Sequence, residues 1–111
     1  MSNNIKLSVS NIAWPNKYAK LALQCLSHNN FNGVELSLNK IFKEPVETPQ
    51  KKFAEIRNII ENFGLQIVAT HSLFYTMKKY NIFSHDGFNK LLNYLIKISE
   101  IMEFLGTSKI I

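Results

Sequence analysis

The stretch IENFGLQIVAT, residues 60–70, decides how this chain is read. It opens as the end of an amphipathic helix and continues as an apolar, strand-like run, with Gly64 at the change. Glycine just past a helix end is the expected left-handed stop, because it alone enters that conformation without steric cost. The same setting recurs around Gly33 in NNFNGVELSL and around Gly106 in MEFLGTSKII. The intervals, 31 residues from Gly33 to Gly64 and 42 from Gly64 to Gly106, match one strand–helix unit each.

The segments between the glycines support that reading. From Tyr18, apolar positions recur at Ala22, Cys25 and Leu26. A second helix carries Phe53, Ile56, Ile60 and Phe63 on one face. A third carries Phe88, Leu91, Leu92, Leu95, Met102 and Leu105. Thr48–Pro49 reads as N-cap and first helical residue, and Ser84 or Asp86 as the cap of the third helix. Strands are predicted at 5–12, 34–38 and 66–74, with a stub from Ser108. Ile5, Leu7 and Val9 alternate with Lys6, Ser8 and Ser10, while Val34, Leu36 and Leu38 alternate with Glu35 and Ser37. Numbered in chain order, the elements run β1-α1-β2-α2-β3-α3-β4, with parallel strands and crossover helices.

In a doubly wound sheet both strand faces would be apolar. Here one face of the first two strands is small and polar, which suits a (β/α) TIM barrel with helices outside and a polar mouth inside. Eight such units make roughly 250 residues. The fold class is therefore α/β, and residues 1–111 are expected to be the N-terminal part of a barrel domain, with the closing FLGTSKII starting a fourth strand.

The totals narrow the function. At 12.8 kDa and 46% hydrophobic residues, the chain can bury one modest core. The lone Cys25 excludes an internal disulfide and suits a reducing cytoplasm. MSNNIK lacks an apolar signal core and no stretch is long enough to span a membrane, so a soluble cytoplasmic protein is expected. The net charge of +5 is spread over scattered lysines, with adjacent pairs only at Lys51–Lys52 and Lys78–Lys79. No aromatic–basic ribbon accompanies them, so neither a nucleic-acid nor a membrane partner is expected.

In a barrel the chemistry sits at the C-terminal ends of the strands. Glu35 and His71 fall there and are the catalytic candidates. Glu35 would be an acid, base or hydrogen-bond acceptor, or else a half-buried carboxylate paired with a lysine. His71 would be a proton carrier or substrate donor, or a hydrogen-bonded core histidine. Ser10, Asn11 and Trp14 at the end of the first strand, with Lys40 after the second, are the substrate-binding candidates. Trp14 reads equally as a stacking wall and as aromatic core. His28 and His85 read as surface residues and Cys25 as packing. Lys17, Lys20, Lys40, Lys43, Lys78 and Lys79 follow strands, whereas Glu61, Glu100 and Glu103 lie near the opposite pole. Such a positive mouth would draw anions such as phosphorylated sugars; chance placement of an abundant residue is the alternative. No G-x-G-x-x-G, P-loop, H-E-x-x-H or paired metal-ligand motif is present.

KLSVSNIAW, GVELSL, VATHSLFYT and NIFSHDGFNKLLNYLIKISEIMEFLGTSKII together resemble sugar phosphate isomerase/epimerases of the xylose-isomerase-like TIM-barrel superfamily, in order along nearly the whole chain. The resemblance implies the barrel deduced above and a proton transfer next to a carbonyl in a sugar or sugar phosphate. It implies a divalent metal (Zn, Mn or Mg) in the complete barrel, with ligands from later strands and none expected in this fragment. It also places Glu35 and His71 at mouth positions. The superfamily's zinc-dependent AP endonucleases use a strand-3 histidine, which makes His71 a metal candidate by relation, although three ligands are normally needed. Three functions follow as expectations: an isomerase/epimerase fragment inactive alone, a non-catalytic half-barrel pairing its open sheet edges as a homodimer, and a metal-dependent nuclease.

Overall fold

The computed structural model describes residues 5–74 and 83–111. Three parallel strands, β1 (Ser8–Ser10), β2 (Gly33–Leu36) and β3 (Gln66–Thr70), form one sheet in the order β1-β2-β3. They are separated by α1 (Ala19–His28) and α2 (Gln50–Asn62), and α3 (His85–Leu105) follows β3. A fourth strand position is occupied by one parallel bridge, Thr70 to Ile110, closed by Thr70 N donating to Lys109 O and Ile111 N to Thr70 O, both at 2.9 Å. The expected parallel α/β order is therefore present, and the open sheet is part of a (β/α) barrel.

The helices end as the glycine spacing requires, with one substitution. Gly64 (φ 75°) and Gly106 (φ 74°) are left-handed. Gly64 N donates to Glu61 O and Leu65 N to Ile60 O; Gly106 N donates to Glu103 O and Thr107 N to Met102 O. These pairs satisfy the orphan carbonyls of a helix end. After α1 the left-handed residue is Asn30 (φ 61°), with Asn30 N to Ser27 O and Phe31 N to Leu26 O, rather than Gly33. Asparagine tolerates that region better than other side chains. Gly33 serves a different need: a Cβ there would stand 2.6 Å from both Gln66 O and Val68 Cγ1.

That close approach accompanies a bulge. Val34 pairs with Ile67, but Glu35 pairs with Ala69 and Leu36 with Thr70, so Val68 is the extra residue of β3. A bulge shifts the alternation of side chains beyond it by one position. Val34, Leu36 and Ile67 face the helices and are buried, and Thr70 follows Leu36 to that side. His71 is turned to the opposite face with Glu35.

The core lies between sheet and helices: Val34, Leu36 and Ile67 from the sheet; Leu23 and Leu26 from α1; Phe53 and Ile60 from α2; Tyr94, Ile98, Ile101, Met102 and Leu105 from α3. Several expected elements and faces shift. β1 is shorter than 5–12 because Asn11–Ala13 turn into a 3-10 helix, and Leu38 opens a one-turn helix (Leu38–Ile41) instead of ending β2. Cys25 is exposed, since α1 buries Leu23 and Leu26. Phe88 and Leu92 are exposed too; α3 packs on α2 and on the short turn Pro45–Glu47, and Tyr94 and Ile98 are buried. Ser84 caps α3, its side chain accepting from Gly87 N at 3.0 Å. Thr48 does not cap α2; its hydroxyl donates backward to Glu44 O.

Two comparisons test the seam between β2 and β3. Gly33→Ala is expected to cost about 3 kcal/mol by overpacking, whereas Gly64→Ala, whose Cβ meets nothing within 4 Å, costs only the left-handed strain of about 1–2 kcal/mol. Urea midpoints give the order. Thr70 is fully buried and its Oγ1 lacks a partner among the described residues. Thr70→Val is therefore expected to raise stability by about 1 kcal/mol in the same assay.

Candidate functional site

The face of the sheet turned away from the helices carries the polar side chains. Ser8 and Ser10 alternate onto it from β1, Glu35 from β2 and His71 from the end of β3. Ser10 Oγ lies 2.6 Å from His71 Nε2, and Ser8 Oγ reaches Glu35 Oε1 at a long 3.5 Å. His71 is 9% exposed, its backbone N donating to Leu36 O. Its Nδ1 meets Ser72 Oγ at 2.9 Å. Ser72 itself is left-handed (φ 53°), in a turn where Asn39 Nδ2 donates to Leu73 O at 2.7 Å and to Ser72 O at 3.4 Å. Glu35, Ser10 and His71 are thus gathered at the C-terminal ends of neighbouring strands. Glu35 is only half-buried and makes no salt bridge among the described residues.

The other candidates are placed differently. Asn11 is buried and holds the end of β1 to the end of β2: its Oδ1 accepts from Ser37 N at 2.8 Å and its Nδ2 donates to Ser37 O at 3.3 Å. The Lys40 ammonium donates to the carbonyls of Asn11 and Trp14, and Asn16 Nδ2 donates to Lys40 O at 2.8 Å. Lys40 therefore braces the loop after β1. Trp14 packs against the core and lines a cavity of about 550 Å3 on the helix side of the sheet, between α1 and α2. Lys17 and Lys20 line that cavity as well, Lys17 Nζ standing 5.0 Å from the Tyr18 ring centre. Lys78 and Lys79 lie outside the described residues. His28 and His85 are exposed.

Sequence reasoning missed Ser72 and Asn39. Nothing in the string VATHSLF marks a left-handed serine, because the turn is set by Asn39, 33 positions earlier. Among the described residues no three His, Cys, Asp or Glu side chains come together. A divalent ion needs about that many protein ligands, so these residues do not fit a metal centre of their own. No helix among them is long and apolar enough to cross a membrane.

The sheet order, the crossover helices and the polar strand ends define a partial TIM barrel. Solved structures of similar fold are a sugar phosphate isomerase/epimerase from Parabacteroides distasonis (TM-score 0.69, 16% identity, 98% of this chain and 38% of that one) and a xylose isomerase-like TIM barrel/4-hydroxyphenylpyruvate dioxygenase fusion protein (0.67, 17%, 96% and 16%). A xylose isomerase domain containing protein from Salmonella typhimurium LT2 follows (0.52, 17%, 90% and 33%). The chain thus spans less than two fifths of the length of each. Neither a family model nor a curated protein matches the sequence. At these identities the likeness is one of fold.

The bracing role of Asn11 has a direct check. Asn11→Ala leaves Ser37 N unpaired in a buried setting and is expected to lower stability by about 2 kcal/mol, read as a lower urea midpoint with an unchanged slope.

Proposed function

We propose that this chain forms part of a sugar phosphate isomerase/epimerase-like barrel and supplies one wall of its substrate mouth. The observation that carries this reading is the convergence of Ser10, Glu35 and His71 on the polar face, at the strand ends where barrels of this class place their chemistry. Interconverting an aldose and a ketose, or epimerising beside a carbonyl, removes a proton from carbon and returns it. Glu35, half-buried and without a cationic partner among the described residues, is the base for that carbon. His71, held on both sides by hydroxyls, handles the proton of the neighbouring oxygen. The described residues present three strands and one bridge, a single wall, so this reading assigns turnover to a more complete barrel and takes the chain alone as inactive. Any divalent ion would depend on ligands beyond those described, and no step here is derived through one.

Chemical-shift mapping with a panel of ketose and aldose phosphates tests the reading. Saturable shifts confined to Ser10, Glu35 and His71, without turnover, are expected, and Glu35→Gln is expected to weaken them. Shifts confined to the α1–α2 cavity, or none at all, would count against a mouth on this face. Turnover by the isolated chain would refute its inactivity.

A second reading has one observation in its favour. Ile5 and Leu7 beside β1, and Ile110 and Ile111 at the other side of the sheet, are exposed apolar residues. Unpaired sheet edges promote association, and a homodimer would cover them. Light scattering after size exclusion separates the two: this reading expects a dimer, and a monomer that melts cooperatively removes it.

A further inference from the structure

The two contacts that hold the His71 ring are unequal, and the difference carries information. Ser10 Oγ stands 2.6 Å from Nε2, whereas Ser72 Oγ stands 2.9 Å from Nδ1. Hydroxyl donors make bonds of about 2.5–3.0 Å, while N–H donors cluster near 2.9–3.0 Å and seldom come below about 2.7 Å. The short contact fits an O–H donor better than an N–H donor, and the longer one is compatible with an N–H donor.

The remaining bonds agree. Ser10 Oγ already accepts from Ile12 N at 3.2 Å, so its own hydrogen still needs an acceptor. With Nε2 protonated, Ser10 Oγ would accept twice and its hydrogen would have no protein acceptor among the described residues. With Nδ1 protonated, the leftover hydrogen belongs to Ser72, which is exposed and can give it to water. The second arrangement gives the Ser10 hydrogen a protein acceptor and leaves only the exposed Ser72 hydroxyl to water, in agreement with the two distances. The left-handed backbone at Ser72 is a strained conformation for a residue that carries a side chain. Asn39, through its two bonds to the turn, holds the hydroxyl where Nδ1 needs it.

We propose that Ser10, His71 and Ser72 form a directional proton relay, in which Ser72 fixes neutral His71 with its proton on Nδ1 and Nε2 draws the hydrogen of Ser10. Ser10 Oγ is then the atom that meets a substrate hydroxyl. When the substrate O–H bond breaks, its proton bonds to Ser10 Oγ and the Ser10 proton passes to Nε2. The substrate is left as an alkoxide and the ring as an imidazolium; the reverse transfer restores all three groups. Ser72 is a positioning residue that acts through His71. The relay stands on the hydrogen bonds themselves. Only the choice of substrate, a hydroxyl beside a sugar carbonyl, rests on the isomerase-like reading.

Long-range 1H–15N spectra of the 15N-labelled chain, taken without sugar at a pH where the imidazole is neutral, read the tautomer directly, with His71→Gln assigning the signals. The wild type is expected to show a pyrrole-like Nδ1 and a pyridine-like Nε2. Ser72→Gly removes the hydroxyl while giving the left-handed position the residue that suits it best. It is expected to keep the melting transition and to lose the Nδ1–H preference; Ser10→Ala is expected to shift the Nε2 resonance. A wild-type ring protonated at Nε2 overturns the relay, and so does a folded Ser72→Gly chain with the wild-type signature. The wild-type spectrum decides even if a variant unfolds. Failure of sugar binding, by contrast, would remove the substrate and leave the relay standing.

Discussion

The missing side chain at Gly33 is the constraint on which the site depends. Where its Cβ would stand, Gln66 O and Val68 Cγ1 approach to 2.6 Å. That space lets β3 carry one residue more than β2 across the seam, so Ala69 falls opposite Glu35 and Thr70 opposite Leu36. The extra residue exchanges the faces of everything after it. His71 thereby leaves the helix side and comes within hydrogen-bond distance of Ser10. The same exchange sends the Thr70 hydroxyl into the apolar side, where it finds no partner among the described residues. A stability defect at Thr70 and the placement of His71 are two results of one backbone irregularity.

The two faces of the sheet divide the labour. Val34, Leu36 and Ile67 join Phe53, Ile60, Ile98 and Leu105 in an apolar layer that supplies the stability. Ser8, Ser10 and Glu35 contribute little to that layer and leave the opposite face open to a polar ligand. Lysines that look like a cationic mouth in the sequence separate by role once folded. Lys40 is bound to loop carbonyls, while Lys17 and Lys20 stand at the cavity between α1 and α2.

The order of strands and helices was legible because each helix ends in a left-handed residue followed by an apolar run. That signal is local and depends on backbone sterics alone. Its one misreading, Gly33 for Asn30, comes from two small residues three positions apart, either of which could end a helix. Face assignments were less secure. α3 carries apolar residues on two sides, and only packing against α2 decides that Tyr94 and Ile98 are covered while Phe88 and Leu92 are not. At the site, Glu35 and His71 could be named from strand ends. Counting alternate residues from Ile67 to His71 would set the histidine on the helix side, and a bulge leaves no mark in the sequence of the strand that contains it. Ser72 was hidden for a similar reason, since its conformation is imposed by a residue far away in the chain.

The register of the sheet also bears on how the chain reaches it. Val9 pairs with Val34, Val34 with Ile67 and Thr70 with Ile110, so each strand joins the one laid down a single unit earlier. The steps close loops of 25 residues (Val9 to Val34), 33 (Val34 to Ile67) and 40 (Thr70 to Ile110) at similar entropic cost, since that cost grows only slowly with length. The contact order therefore stays modest for a parallel sheet, and assembly can advance from β1 in the order of synthesis, each unit giving the next an edge to pair with.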